Sequence, residues 1–445
     1  MRVLIATVAE RTNFIAAVPI AWALRTAGHE VRVASQPRLM EVIADAGLTA
    51  VPVGRDHDFW RVMRSRAFFD PLRDSVPPFD LAGLPMEEIT WEPLQEGYRQ
   101  IVPWWWRLVN EPMLDDLVAL CRDWRPDLVL WEPSTFAAAV AAKVCGAAHG
   151  RFLWGVDVFA FIRTRYVELL AEEAGEERED VPAAWLGACA ARFGERFSED
   201  LITGQFTVDC LPMGMRLGES GVRYVPVRYI PYNGRAVVPS WLREPPARRR
   251  VCLTLGTSAT ERQGGYVVSV QDLLDSLGEL DMELVITLPE AEQQRLTRVP
   301  ANTRLVSHVP LHALAPSCSA VINHGGAGTV LTMLHYGVPQ LIIPRPTFDE
   351  PLLTRQMVRQ GAAVSIPSAQ ARGERVRAEL EKLLADEAVH RATADLHRRA
   401  HALPAPNAVV PLLEELAVHD QRASGVTPQG GSGRSSSVRK PSVPR

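Results

Sequence analysis

No stretch of this 445-residue chain approaches the ~18 uninterrupted apolar residues that a membrane-spanning helix needs. Charge of one sign is lacking too: the formal net charge is -4 and the pI near 6.3, so there is no electrostatic footprint for nucleic acid or an anionic membrane. Cysteine is sparse, with Cys121, Cys145, Cys189, Cys210, Cys252 and Cys318 scattered through apolar stretches, no CxxC pair and no Cys/His cluster at zinc spacing. A disulfide scaffold is thereby excluded, and the thiols are expected to be buried and reduced. The first residues enter a strand-like Arg2-Val3-Leu4-Ile5-Ala6-Thr7 with no apolar signal core, so secretion is not expected and the cytoplasm is. A small-molecule partner remains as the expectation.

What is present is alternation. A chain of this length exceeds one ordinary core, which predicts two domains. Strand-like Arg2–Thr7 is followed by an apolar-periodic helix over Ala16–Ala27, stopped by Gly28, and a strand over His29–Ser35. That strand, helix, strand spacing is a βαβ unit and implies a parallel sheet. The alternation continues with a helix near 41–46, a strand at 50–53, a strand at 127–130, a helix over 136–144 and a strand at 151–154. The segment 55–115 reads as an irregular insertion rich in Trp, Pro and charge, including Trp104-Trp105-Trp106, which fits a core plug, an aromatic wall for a flat ligand, or a partner anchor. A Pro- and Arg-dense linker over 236–250 separates an N-terminal domain, 1–235, from a second alternating unit, 251–404. That unit has strands at 251–255, 283–287, 304–306, 320–323 and 340–344. A helix over 405–420 follows, then a Ser-, Gly- and Arg-rich tail, 421–445, without acidic residues, read as disordered. The fold class is α/β, with two doubly wound domains.

The chemistry is concentrated in Ile322-Asn323-His324-Gly325-Gly326-Ala327-Gly328-Thr329-Val330. A strand-to-helix turn with glycines at 325, 326 and 328 lets a ligand approach the backbone, and the amides from Thr329 on sit at a helix start, where the dipole favours an anion such as a phosphate. His324 adds a hydrogen-bonding imidazole at the strand end; a satisfied core histidine is the alternative. Asp349 and Glu350 stand at the carboxyl end of the strand ending near Pro344, the edge where parallel sheets bind ligands, and carboxylates there suit sugar hydroxyls. A dehydrogenase is disfavoured because the first strand leads into Ala9-Glu10-Arg11-Thr12-Asn13-Phe14 with no GxGxxG. Asp56-His57-Asp58 has the look of a metal-binding DxD but is read as a solvated loop, and no metal or cofactor is expected.

His324 to Thr329, with Gly337-Val338-Pro339-Gln340 and the Asp349-Glu350 pair, resembles the nucleotide-sugar signature of family 1 glycosyltransferases of the GT-B fold. More narrowly, the chain is similar to bacterial deoxysugar transferases that decorate macrolides and anthracyclines. VPIAWALRTAGHEVRVASQP, WRPDLVLWEPSTFAAAVAAK, VRYIPYNG, RRRVCLTLGTS and HVPLHALAPSCSAVINHGGAGT carry the likeness, which extends over residues 1 to about 418. It implies two Rossmann-like domains facing across a cleft, a dTDP-deoxysugar donor on the second, a hydrophobic natural-product acceptor on the first, and inversion at the anomeric carbon. Donor contacts are implied for Thr257, Ser258, His308, Val309, His324, Gly325, Gly326, Gly328, Thr329, Asp349 and Glu350. Acceptor contacts are implied for Phe14 and the three tryptophans. A helper protein resembling a cytochrome P450 is implied as a partner. Relatives commonly carry a histidine base after the first strand, whereas here the matching residue is Asn13, which cannot take a proton. Three explanations stand open: an acidic acceptor positioned by Asn13, a substitute carboxylate among Glu10, Glu132 and Asp157, or a non-catalytic homologue serving as a binding or scaffold subunit. Glu350, where many relatives have Gln, suggests an aminosugar ammonium as its partner.

Overall fold

The computed structural model describes residues 1–57, 59, 78–172, 178–218, 220–256, 259–260, 265–345 and 348–423. Thirteen strands form two all-parallel sheets among these residues. In the first half they are β1 (Arg2–Ala6), β2 (Glu30–Ser35), β3 (Thr49–Pro52), β4 (Leu128–Trp131), β5 (Ala148–Phe152), β6 (Phe206–Asp209) and β7 (Tyr224–Pro226), in spatial order β3-β2-β1-β4-β5-β6-β7. The second half contributes β8 (Arg250–Thr254), β9 (Glu283–Thr287), β10 (Thr303–Val306), β11 (Ala320–Asn323), β12 (Gln340–Ile342) and β13 (Ala363–Ser365), ordered β10-β9-β8-β11-β12-β13. Helices cover both faces, so the central strands read as continuous apolar runs: Leu128, Val129, Leu130 and Trp131 are all fully buried.

In each sheet the chain order reverses beside the first strand of the half, between β1 and β4 and between β8 and β11. Loops leaving the carboxyl ends of such neighbours diverge and open a crevice. In the second sheet Thr254 lies opposite Asn323, which brings the loop at Gly256 beside the loop at His324. In the first, Ala6 lies opposite Trp131, so the turn leading to Asn13 stands beside the one at Glu132.

Four helices matter for the site: α1 (Arg11–Thr26), α2 (Ala327–His335), α3 (Glu350–Arg359) and α4 (Pro406–Ala423). Helix α1 starts five residues earlier than its apolar period announces, because Arg11, Thr12 and Asn13 face out over the crevice; Pro19 lies inside it. Helix α4 returns to the first domain, burying Val409, Val410, Leu413, Leu416 and Ala417 in the core shared with α1 and β5. Its Glu414 pairs with His29 at 2.9 Å.

Several expectations are corrected. The described part of the 55–115 insertion is helical: a 3-10 turn at Pro78–Gly83, a helix over Trp91–Ile101, a π-helical turn at Val102–Arg107 and a helix over Leu108–Trp124. The wider turn takes up Pro103, and the following helix buries Val109, Met113, Leu117 and Cys121 at helical spacing, which the density of Trp and Pro concealed. The helical run after Gly373 is two helices, Gly373–Ala385 and Glu387–His401, with the Asp386 carboxylate capping the second. Strands β6, β7 and β13 went unannounced. Helix α4 runs to Ala423, three residues into the segment read as tail; 424–445 lie outside the described residues, as does Asp58.

Candidate active site

The carboxyl ends of the two sheets enclose a cavity of about 330 Å³, within the ~300–1,000 Å³ of small-molecule sites. Its second-domain wall includes Thr254, Gly256, Thr287, His308, Val309, His324, Gly326, Gly328, Thr329, Asp349 and Glu350, and its first-domain wall Arg11, Asn13 and Trp154. The implied donor residues His308, Val309, His324, Gly326, Gly328, Thr329, Asp349 and Glu350 are thus brought together. Thr257 and Ser258 lie outside the described residues.

Helix α2 begins at this wall. Gly326 caps it with extended backbone and no side chain caps it; the Thr329 and Val330 amides donate to the Gly326 carbonyl, both at 3.0 Å, so the anion-receptive end is made by the amides of Ala327 and Gly328 and not, as expected, by those from Thr329 on, because the helix starts two residues earlier. Gly325 does not line the cavity; it turns with φ +89° and its amide is held by Asn323 Oδ1 at 2.8 Å, in a network that continues from Asn323 to Gln340 and back to the Val330 carbonyl. Gly326 serves a neighbour as well as the backbone: a Cβ there would stand 2.4 Å from His324 Nε2, and one on Gly256 would stand 2.6 Å from His324 Cε1. The imidazole is therefore seated in space that two absent side chains leave open. Burial, reinforced by Arg345 and opposed by the Thr254 backbone, pulls the His324 pKa down to about 4. At neutral pH it is an uncharged donor/acceptor.

Asp349 precedes α3 and Glu350 opens it. Asp349 is 5% exposed and its Oδ2 has no hydrogen-bonding partner among the described residues. Burial raises its pKa to about 7. Glu350 rises to about 8, through burial and the adjacent Asp349, against Arg345, whose amide donates to Glu350 Oε2 at 3.2 Å. The first domain closes over this pair: a Cβ on Gly155 would stand 2.5 Å from Asp349 Oδ2. Phe348, at φ +56°, stacks on Trp154 with ring centres 5.8 Å apart.

On the facing wall Asn13 Nδ2 donates to Glu132 Oε1 at 3.1 Å. Glu132, 5% exposed, also accepts from Ser134 Oγ, Thr135 Oγ1 and Trp154 Nε1. Burial raises its pKa and these donors oppose the rise.

Other expected residues lie elsewhere. Asp157 is held by Arg151 in a two-pronged buried ion pair of 2.9 and 2.6 Å and accepts from Tyr224 at 2.9 Å, outside the cleft. Glu10 sits at the N-cap position of α1 and does not line the cavity. Phe14 is buried in the first core, since α1 turns it toward the sheet. The tryptophans divide: Trp106 is a core plug packed on Phe79, Tyr98, Phe136 and Trp185, Trp105 meets Phe348 across the domain boundary, and Trp104 is 45% exposed. None lines the cleft. Two residues were missed although their block was noticed. Tyr229 donates to the Gly328 carbonyl at 3.3 Å while its own carbonyl contacts His335 Nδ1 at 3.2 Å, bridging both ends of α2, and Asn233 holds the His312 amide at 2.9 Å. Among the described residues no group of three or more His, Cys, Asp or Glu is placed to hold a metal ion, and no helix is long and apolar enough to cross a membrane.

Two doubly wound sheets that meet at their carboxyl ends, one offering a bare helix terminus and the other a polar floor, make this chain a GT-B glycosyltransferase, and comparison with known proteins agrees. It belongs to the family described as erythromycin biosynthesis protein CIII-like, whose N-terminal domain matches residues 22–256 and whose C-terminal domain matches 271–416. It is 45% identical to a 10-deoxymethynolide desosaminyltransferase of Streptomyces venezuelae, over 95% of this chain and 98% of that one. It is 42% identical to an aklavinone 7-beta-L-rhodosaminyltransferase of Streptomyces galilaeus, over 97% and 99%. The glycosyltransferase VinC, solved in complex with dTDP, superposes with a TM-score of 0.84 at 36% identity, covering 94% of this chain and 99% of that one.

Proposed function

We propose that this enzyme transfers an amino-deoxysugar from a dTDP-sugar to a hydroxyl of a polyketide aglycone, with inversion at the anomeric carbon. The observation that carries the reading is the carboxyl pair of buried Asp349 and half-buried Glu350, on the same wall as the bare terminus of α2. A diphosphate on the α2 amides and His324 leaves its sugar beside the carboxyl pair, which takes hydroxyl hydrogens or an ammonium; burial raises both pKa values toward neutrality, and a cationic sugar favours their ionised form where a neutral one does not. The acceptor oxygen attacks the anomeric carbon from the Asn13 side, the bond to the phosphate oxygen breaks with its electron pair, and the amides and neutral His324 hold the charge that develops there. The hydroxyl proton ends on the released diphosphate or in water. No metal is assigned a part, and turnover insensitive to EDTA is expected. The six free thiols fit a reducing cytoplasm. A P450-like helper is proposed as a partner of the first domain, and raised turnover on its addition would support that.

Calorimetric titration tests the donor half. dTDP is expected to bind, UDP more weakly and NAD not at all; equal binding of all three would sink the proposal.

A further inference from the structure

Asn13 occupies a place on the acceptor wall where a base would be useful, and an amide is no base. Its surroundings define what it does instead. Glu132 receives four donors: Asn13 Nδ2 at 3.1 Å and Trp154 Nε1 at 3.1 Å on Oε1, Thr135 Oγ1 at 2.9 Å on Oε2, and Ser134 Oγ at 3.0 and 2.7 Å across both oxygens. A carboxylate with four donors and 5% exposure has no lone pair directed at a substrate and no path to one. Of its partners, Asn13 and Trp154 line the cleft. Because an ionised carboxylate only accepts, the NH2 of Asn13 must face Glu132, and the carbonyl Oδ1 is left for the cleft. Among the described residues its one hydrogen bond is a long one, from Thr12 Oγ1 at 3.4 Å.

We propose that Glu132 is a positioning residue of the transfer reaction: it fixes the Asn13 amide so that Oδ1 accepts the hydrogen bond of the attacking acceptor hydroxyl, and it holds Trp154 as the adjoining wall. This rests on the reading of the cleft as the site of sugar transfer. The hydroxyl enters neutral, with its O–H held on Asn13 and a lone pair turned to the anomeric carbon. It forms the new C–O bond as the phosphate departs with the old electron pair, and gives up its proton to that diphosphate or to water. The carboxylate acts only through its neighbours. Other ionisable groups lining the cleft are Arg11 on the same helix, Tyr229 in the segment leaving β7, and His308, His324, Asp349 and Glu350 opposite.

The test uses the full-length enzyme with dTDP-desosamine and, as acceptor, 10-deoxymethynolide or aklavinone, whichever the unaltered enzyme turns over faster. In Glu132→Gln the Trp154 N–H, a donor only, holds the new carbonyl at the Oε1 place while the Ser134 and Thr135 hydroxyls accept from the new NH2, so Asn13 keeps its orientation and most of kcat stays; in Glu132→Ala that orientation is lost. In Glu132→Ala kcat is expected to fall roughly 10- to 100-fold, the cost of misplacing a reacting group, with KM for the donor and dTDP affinity unchanged. Asn13→Asp supplies a signature that a structural role would not. Protonated, the new carboxyl donates to Glu132 and still presents a carbonyl; ionised, it faces another anion. Its activity relative to the unaltered enzyme should therefore fall as pH rises through the titration of the shared proton. Full kcat in Glu132→Ala, or parallel pH profiles for Asn13→Asp and the unaltered enzyme, would overturn the proposal. A measurement without acceptor stands beside these: the side-chain amide resonances of Asn13 in protein labelled with 15N-asparagine should move in Glu132→Ala, and identical spectra would also overturn it. Failure of the unaltered enzyme to bind dTDP would instead refute the transferase reading itself.

Discussion

Gly326→Ala is the most informative single change at the donor wall. The Gly326 backbone has φ -61° and ψ 132°, which alanine adopts without strain, so the effect must come from what the methyl group meets. It meets His324: 2.4 Å to Nε2, 3.0 Å to Cε1 and 3.4 Å to Cδ2. Relief requires the ring to move by roughly 1 Å, since carbon contacts settle near ~3.5 Å, and retreat is limited because the ring already fills the space where a Gly256 side chain would be. Overpacking of this kind costs about 1–3 kcal/mol of stability. The larger effect is on chemistry, because a displaced imidazole no longer meets the phosphate oxygen on which charge develops. Loss of one such donor lowers kcat by roughly 10²- to 10³-fold where the donor is fully engaged; for one member of a site that also has the α2 amides, at least ~10-fold is expected. The assay is kcat and dTDP affinity in a double-mutant cycle with His324→Ala. If Gly326 acts through His324, the methyl group has little further effect once the imidazole is gone. Full additivity of the two losses would refute the reasoning and make Gly326 a direct ligand-facing position.

Asp349→Asn tests the carboxyl pair. A folded-state pKa raised from 3.8 to about 7 means that the native state binds the proton more tightly than the unfolded chain, so stability is lost as pH rises from about 4 through 7, by at most about 4 kcal/mol at ~1.36 kcal/mol per pH unit. The variant should match the parent near pH 4 and exceed it at pH 8 in urea unfolding, and a constant difference across that range would remove the argument. Glu350→Gln should lower kcat/KM for an aminosugar donor more than for a neutral deoxysugar donor; equal losses would dismiss the ammonium. His324, with its pKa pulled down to about 4, favours the folded state above the unfolded value of ~6.5 and loses that contribution as pH falls through 4, so the pH dependence of dTDP binding between pH 6 and 8 should contain no contribution from His324 and keep its shape in His324→Ala. Asp157→Asn leaves Arg151 buried with a weakened partner and should cost roughly 3–5 kcal/mol of stability, while kcat per folded molecule stays within a factor of two.

Periodicity and punctuation made most of the fold legible. Strands β8, β9, β11 and β12 announce themselves as apolar runs ended by Gly, Pro or Asn, and the glycine-rich turn after β11 falls where a helix terminus opens on the cleft. Strands β7 and β13 did not, because each is three residues long and at the edge of its sheet, with too few positions to show a period. The helices after Thr90 were hidden by composition: tryptophan and proline read as irregular when counted, yet at helical spacing Trp91, Leu94 and Tyr98 share one buried face. Helix α1 was placed too late because its first turn carries polar residues for the cleft, and a period in apolar residues is silent there.

The site shows a sharper division. A residue that meets its ligand through local backbone, as at α2, leaves a local signature. Asn13 and Glu132 are 119 residues apart and meet only because β1 pairs with β4, so no spacing rule connects them. The same holds for Tyr229, whose hydroxyl reaches the first turn of α2 and whose carbonyl contacts its last residue. Its segment leaves β7 and ends at Asn233, which holds the His312 amide beside the cleft. The domain connection therefore also sets the orientation of the helix that receives the diphosphate. Removing the hydroxyl in Tyr229→Phe takes away one hydrogen bond to a backbone carbonyl, worth about 1 kcal/mol, and should weaken dTDP binding by roughly 3- to 5-fold while leaving the acceptor side untouched. A loss confined to the acceptor KM would place the function of this segment in the first domain and detach it from α2.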